Sequence, residues 1–330
     1  MTGVEFFREA PRRLDLDRYE SSDPFGYGPF RKVTANNVTM NFLTPFVAVD
    51  GRVAPWLHYN LGWRRDQIDF INADLLAPAK SYQHWAGVNS LKATITILPP
   101  ESTMLPSVSL SFGQTFFTND PRIGTGTEYG TPASRAHAYQ LVVNKTVRET
   151  DFRVALGRVT QEQSLAKIDP DTGLQFDQGP SRNRYITVAA RHYFRGGSLQ
   201  GSVSKADARD LSFGTPVPEA PRVIVDFLGT LDRLPFQLHA RAEFEGVGRK
   251  PLGDGFTSVP VEEFRGALIR QFGNHFQVGI NFLIGKGYTG QTTEVLALPG
   301  EGPSERVTGV YLPSYATFSF SYRFGRVKQP

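Results

Sequence analysis

Six histidines, two closely spaced glutamates and one acidic stretch are the residues here whose types and spacing invite a chemical reading. His58, His84, His137, His192, His239 and His275 never fall at a metal-ligand spacing such as H-x-x-x-H, and no Glu completes a zinc-protease pattern. Glu243 and Glu245 stand two residues apart, so on a strand they share a face at about 7 Å, a separation any such pair reaches. Arg241 beside them makes charge balance the simpler reading. Asp169, Asp171, Gly173 and Asp177 have the look of an acidic calcium loop. They lack the full ligand set and the closing bidentate Glu. The Asp169-Pro170 and Thr172-Gly173 steps read as turn chemistry instead. There is no G-x-S-x-G elbow. The expectation is a protein with no catalytic constellation, no metal centre and no cofactor: not an enzyme.

Composition narrows the class. The chain has 330 residues, 12% of them aromatic and none of them Cys. It is too rich in aromatics for a disordered chain, and it holds neither disulfides nor Cys-ligated metal. No run of about 18 apolar residues exists, so no transmembrane helix is expected. A transmembrane strand remains possible, because it needs only about 9–11 residues with every second one apolar. The net charge of +4 is spread without a basic block, so nucleic acid is not an expected partner. Met1 to Leu14 carries Glu5, Arg8, Glu9, Arg12 and Arg13 and does not read as a secretory signal peptide.

The period that positions side chains is two. Phe236, Leu238, Ala240, Ala242 and Phe244 alternate with Gln237, His239, Arg241, Glu243 and Glu245. Leu57, Tyr59, Leu61 and Trp63 alternate with His58, Asn60, Gly62 and Arg64. The same split recurs over residues 107–113, 275–282 and 317–324. These are strands with one apolar and one polar face. The pattern predicts about 13 strands, near 36–49, 53–66, 87–98, 106–118, 135–146, 150–162, 183–194, 198–207, 220–230, 236–247, 260–271, 274–284 and 314–324.

Connection length then favours a membrane barrel over a soluble sandwich. Short turns are predicted at Asp50–Gly51, Pro99–Pro106, Arg148–Asp151, Arg195–Gly197, Leu231–Pro235 and Gly273–Asn274. Long loops are predicted at 67–86, 119–134, 163–182, 208–219, 248–259 and 285–313. Short and long alternate throughout, as in outer-membrane barrels with short periplasmic turns and long outer loops. Aromatics near predicted strand ends, among them Trp56, Trp63, Phe116, Phe117, Tyr193, Phe194, Tyr311, Tyr315 and Phe324, suit a girdle at the membrane boundary. Residues 1–35 read as an extracellular-type loop, 36–324 as barrel and 325–330 as a tail. An odd strand count starting from the outside implies the C-terminal part of a larger barrel; a strand hidden in 1–35 is the alternative.

Ligand-contacting residues must then lie on outer loops or the upper lumen wall. Tyr82, His84 and Trp85 fall on the first long loop, and Asn119, Asp120, Arg122 and Tyr129 on the second. The third leads into Arg182 and Arg184. Aromatic rings suit stacking ligands such as siderophores or glycans, and arginines suit anionic ones.

The ordered series of features resembles one family. Phe46–Phe70 (FVAVDGRVAPWLHYNLGWRRDQIDF), Asp169–Gly173 with the following RNRYITVAARHYF, Pro216–Arg222 (PVPEAPR) and the closing YLPSYATFSFSYRF are similar to the mid-barrel, long-loop and final-strand patterns of TonB-dependent outer-membrane receptors. In Gly62-Trp63-Arg64-Arg65-Asp66 the family's Gly-x-Arg-Tyr-Asp ending has lost its Tyr. The resemblance implies an all-β, antiparallel transmembrane β-barrel of about 22 strands around a plug, of which about 13 are expected here, with about nine and the plug absent. It implies outer-membrane localisation, a lipid surround, and energy-coupled uptake of a scarce small-molecule ligand of siderophore, haem, cobalamin or glycan class. The implied partners are a TonB-type energy-transducing protein acting through the plug, and the outer-membrane assembly machinery. That machinery reads a terminal aromatic, which here is followed by Gly325 to Pro330. A passive porin or adhesin-like barrel and a soluble all-β binding protein are the other readings.

Overall fold

The computed structural model describes residues 1–19, 30–100, 104–118, 133–162, 167–168, 175–176, 179–253, 255–273, 275–296 and 304–322. Fourteen strands form one sheet, each paired antiparallel with its neighbour in sequence. They are β1 (Thr2–Tyr19), β2 (Phe30–Ala54), β3 (Leu57–Asp74), β4 (Tyr82–Ile97), β5 (Ser107–Thr118), β6 (Ala133–Val147) and β7 (Thr150–Gln161). The second half comprises β8 (Ser181–Phe194), β9 (Gly197–Asp210), β10 (Val223–Leu234), β11 (Leu238–Val247), β12 (Val261–Phe272), β13 (Phe276–Lys286) and β14 (Tyr315–Tyr322). Among the described residues no α-helix is present and no second sheet layer covers this one.

Cross-strand register turns the sequence alternation into two continuous faces. Leu110, Leu141, Leu156 and Ile186 stand in one row across β5–β8, and Val143, Val154, Val188 and Val203 in another across β6–β9. Phe227, Phe244, Phe264 and Ile284 continue the same face. The opposite face is polar and concave. Of the buried side chains on these strands, all but Ala35 and Asp69 lie on it, as the occluded side of a curved sheet requires. Apolar groups meanwhile stay in the open on the convex side: Leu156 is 43% exposed, Val188 50% and Ile280 49%. A single-layer sheet that bares its greasy face has only lipid to bury it in.

The expected organisation needs three corrections. Residues 2–19, read as loop, form β1, so the sheet has 14 strands and not 13. The alternation there is masked by Pro11, which falls in the register break between Glu9 and Arg12 of an edge strand, where a missing N–H is tolerated. β1 therefore starts at the short-turn end, where β14 finishes. The predicted turn at Asp50–Gly51 lies inside β2, and the chain reverses at Pro55–Trp56. Gly51 is there for its lack of a side chain: a Cβ would run into the ring of Tyr59, its directly paired neighbour. Phe236 sits in the turn before β11 at φ 63°, not on the strand.

That glycine–aromatic arrangement recurs. Gly3 with Phe46, Gly157 with Tyr185, Gly201 with Phe227 and Gly266 with Phe282 are also direct cross-strand pairs, and in each the ring occupies the space of the missing Cβ. Such aromatic cover of strand glycines pins register.

Short and long connections do segregate to opposite ends. Several long connections also fold back as ribbons: Lys167–Ile168 with Gln175–Phe176, Pro251–Gly253 with Phe256–Thr257, and Tyr288–Leu296 with Ser304–Tyr311. Strand length is uneven. β2 has 25 residues and β3 has 18, against 11 in β13 and 8 in β14.

Candidate functional site

The concave wall is a ladder of polar pairs made by facing residues of adjacent strands. Thr94 donates to Ser111 at 3.1 Å, Thr96 meets Ser109 at 3.0 Å, and Thr187 meets Ser204 at 2.8 Å. Ser202 donates to Asp226 at 3.1 Å. Such pairs satisfy each other while leaving the face wettable. Charges on this wall are also matched. The Arg241 guanidinium donates to Glu243 at 3.0 Å, as the sequence reading anticipated, and Arg265 pairs with Glu263. Arg241, Glu243 and Arg265 line a groove of about 450 Å³ together with Asn281, Tyr315 and Thr317.

Higher on β2–β4 the wall holds a fully buried carboxylate. Asp66 is 0% exposed; it accepts from the Thr44 hydroxyl at 2.9 Å and from Arg64 Nε at 2.8 Å. Sequence reasoning passed over this triad. Arg64 and Asp66 share a face by simple i, i+2 spacing, but Thr44 joins them only through the β2–β3 register. Above it lie Ile68 and Phe70, both 0% exposed, and a buried hydrogen bond of 3.1 Å from the Asn36 amide to the Asn72 side-chain oxygen.

Tyr82 and His84 belong to this upper wall. Both lie on β4 itself rather than on a loop, because β3 continues to Asp74 and β4 begins at Tyr82. Tyr82 pairs with Asn72 and His84 with Phe70, so two half-buried amphipathic rings stand beside the buried Ile68–Phe70 packing. Trp85, the next residue, points the other way; it is 63% exposed on the convex face opposite Asp69. Arg182 and Arg184 also belong to the convex face, sharing parity with Ile186 and Val188 on β8. Of the five predicted ligand residues that are described, Tyr82 and His84 thus share the concave wall, Arg182 and Arg184 share the convex face on a different part of the sheet, and Trp85 stands apart from both. Arg122 and Tyr129, and the acidic stretch at Asp169–Asp177, fall outside the described residues.

The convex arginines form a group that the sequence reading did not assemble. Arg158 on β7 stands directly opposite Arg184 on β8, and Arg182 directly opposite Arg209 on β9. Arg135 (β6) is on the same face nearer the strand end, and Lys205 (β9) is on it one row lower, opposite Ile186. The signal was available in RNRYITVAAR, where Arg182 and Arg184 keep step with Ile186 and Val188. Their height matters energetically. A lipid-facing Arg costs about 2–4 kcal/mol at the bilayer midplane but about 0–1 near the interface. Phe194, at the short-turn end of β8, lies ten residues from Arg184, a climb of about 25 Å at ordinary rise and tilt, which matches the full height of an apolar band.

No protein-family model and no curated protein matches the sequence. Solved structures do match the fold. The ferric-catecholate import receptor Fiu from E. coli K12 superposes with a TM-score of 0.67 at 12% identity, over 98% of this chain and 51% of that one. The siderophore receptor PiuA from Acinetobacter baumannii gives 0.64 at 13%, over 89% and 44%. The ferric yersiniabactin uptake receptor FyuA from Yersinia pestis gives 0.62 at 13%, over 88% and 47%. The chain spans about half the length of these structures. Its fold is that of the barrel wall of TonB-dependent outer-membrane receptors.

Proposed function

We propose that the 14-stranded sheet is wall of an outer-membrane receptor barrel that imports a scarce small-molecule ligand. One observation carries this reading: a single-layer antiparallel meander bares apolar rows on its convex face, hydrogen-bonds polar rows on its concave face, and gathers its long connections at one end. The fold shared with iron-chelate import receptors supports it. The long-connection end faces outside, and ligand meets the upper concave wall beside Tyr82 and His84. Metal–siderophore chelates are the favoured ligand class, with haem, cobalamin and glycans behind them. Import is energy-coupled: a TonB-type partner acts on a plug housed by the closed barrel. β1 and β14 are unpaired with each other among the described residues, and a barrel in lipid needs both edges joined to further strand.

Because the chain has no Cys, single cysteines test the arrangement cleanly. Leu110→Cys and Ser111→Cys are adjacent on β5 but on opposite faces. In membranes, a charged, membrane-impermeant maleimide is expected to label Cys at 111 and spare Cys at 110, and a lipid-phase quencher to act on a label at 110 alone. Equal aqueous labelling at both positions in a folded, monodisperse protein without detergent would overturn the membrane reading.

A further inference from the structure

We infer that the convex basic cluster at the upper ends of β6–β9 seats the phosphate groups of a phosphorylated glycolipid in the outer leaflet. The inference rests on the outer-membrane reading above and adds a lipid ligand to the outside of the wall.

Three observations carry it. The first is excess positive charge. Arg158 and Arg184 are direct cross-strand partners, as are Arg182 and Arg209. Like charges directly opposite destabilise a sheet, so the arrangement calls for an anion. With Arg135 and Lys205 the face holds six cations against two carboxylates, Asp207 and Glu162. Asp207 stands directly opposite Arg184 on the other side from Arg158, but its carboxylate is engaged by Arg209 at 2.9 Å, and Glu162 stands 3.9 Å from His137. Among the described residues Arg158 Nε reaches only the Thr160 hydroxyl, at 3.3 Å. Arg182 Nε is buried with no hydrogen-bond partner among the described residues. The equivalent height on β12–β13 is neutral, for Lys286 there pairs with Glu262 at 3.3 Å.

The second is geometry. Facing arginines on paired strands have Cβ atoms about 5 Å apart, close enough for two guanidinium forks to grip one phosphate. The third is what lies below. The next row down the same face is Leu141, Leu156 and Ile186, ending at Lys205, and the row below it is wholly apolar, Val143, Val154, Val188 and Val203. A ligand with phosphate above and acyl chains beneath meets both; a free anion or an acidic protein meets only the upper half.

The full chain in dodecyl maltoside micelles, titrated with bis-phosphorylated lipid A and read by native mass spectrometry, tests this. Lipid A is expected to bind, and the triple variant Arg158→Gln, Arg182→Gln, Arg184→Gln to bind roughly a hundredfold more weakly, at about tenfold or less per charge removed. Dephosphorylated lipid A should fail to bind the parent chain. Arg270→Gln, which removes a convex arginine at the short-turn end, seated over Phe272 at 4.5 Å, should leave binding unchanged. Where the triple variant fails to fold, the same comparison is made on Arg184→Gln and on Arg184→Lys, which should retain part of the binding. Undiminished lipid A binding in the folded variants overturns the inference, and so does inorganic phosphate competing at the same concentration as lipid A, or an equal loss in Arg270→Gln. Each of these can occur with the cysteine result above intact; failure of that result instead removes the membrane reading itself.

Discussion

The ring of Tyr185 lies across Gly157, its direct partner on the neighbouring strand, and its hydroxyl accepts a 3.0 Å hydrogen bond from Gln140 on the strand beyond. Three strands are thereby fixed in register by one side chain. Gly157→Val is expected to displace the ring and cost about 1–3 kcal/mol, as overpacking does. Tyr185→Phe keeps the ring and should cost only about 0.5–1.5 kcal/mol for the hydrogen bond. Urea unfolding followed by the folded-to-unfolded shift on a cold gel separates the two.

Adjacent residues of β8 should answer oppositely to the same insertion. Val188→Arg places a charge in the middle of the convex apolar rows and is expected to cost about 2–4 kcal/mol. Thr187→Arg faces the wet interior and gives up its 2.8 Å contact with Ser204, worth about 0.5–1.5 kcal/mol. Comparison of unfolding midpoints in lipid vesicles measures the difference; equal costs would place both residues in the same environment.

Asp66→Ala leaves the Thr44 hydroxyl and the Arg64 guanidinium without their shared acceptor. Arg64 is about half exposed and rehydrates, so the expected loss is about 1–3 kcal/mol and not the larger penalty of a stranded buried charge. Asp66→Asn keeps the shape and should lose less. Denaturant titration of both variants checks the order.

For ligand contact, the concave pair and the convex ring should part company. Tyr82→Ala and His84→Ala are each expected to weaken binding of the imported chelate by about tenfold, the worth of one good contact of about 1.4 kcal/mol, while Trp85→Ala leaves it unchanged. A panel of ferric siderophores titrated against the receptor in micelles supplies the measurement.

The alternation of apolar and polar residues made the two faces of the sheet readable from sequence, since side-chain direction on a strand depends only on parity. Leu57–Trp63 and residues 107–113 behave as their pattern predicted. Parity also decided the sides of Tyr82, Trp85, Arg182 and Arg184, but only where the strand was recognised to extend that far; once β4 and β8 are followed to their upper ends, Trp85 and the two arginines turn outward. β1 was hidden because an edge strand tolerates the Pro11 and charges that a central strand would not. The Asp50-Gly51 step carries the strongest short-range turn signal, yet this glycine makes room for Tyr59 across the sheet, a requirement visible only once register is known. Cross-strand groupings such as Thr44–Asp66 or Arg158–Arg184 likewise exist only after pairing.

The uneven strands have a consequence for traffic at the mouth. β2 spans about 80 Å of extended chain and β14 about 26 Å, so the main sheet stands as a tall parapet on one flank, while on the other the chain continues past it as the Tyr288–Leu296 and Ser304–Tyr311 ribbon. A bulky solute arriving from the medium would, on the uptake reading proposed above, meet main-sheet wall beside Tyr82 and His84 and a separate two-stranded ribbon at the β13–β14 rim.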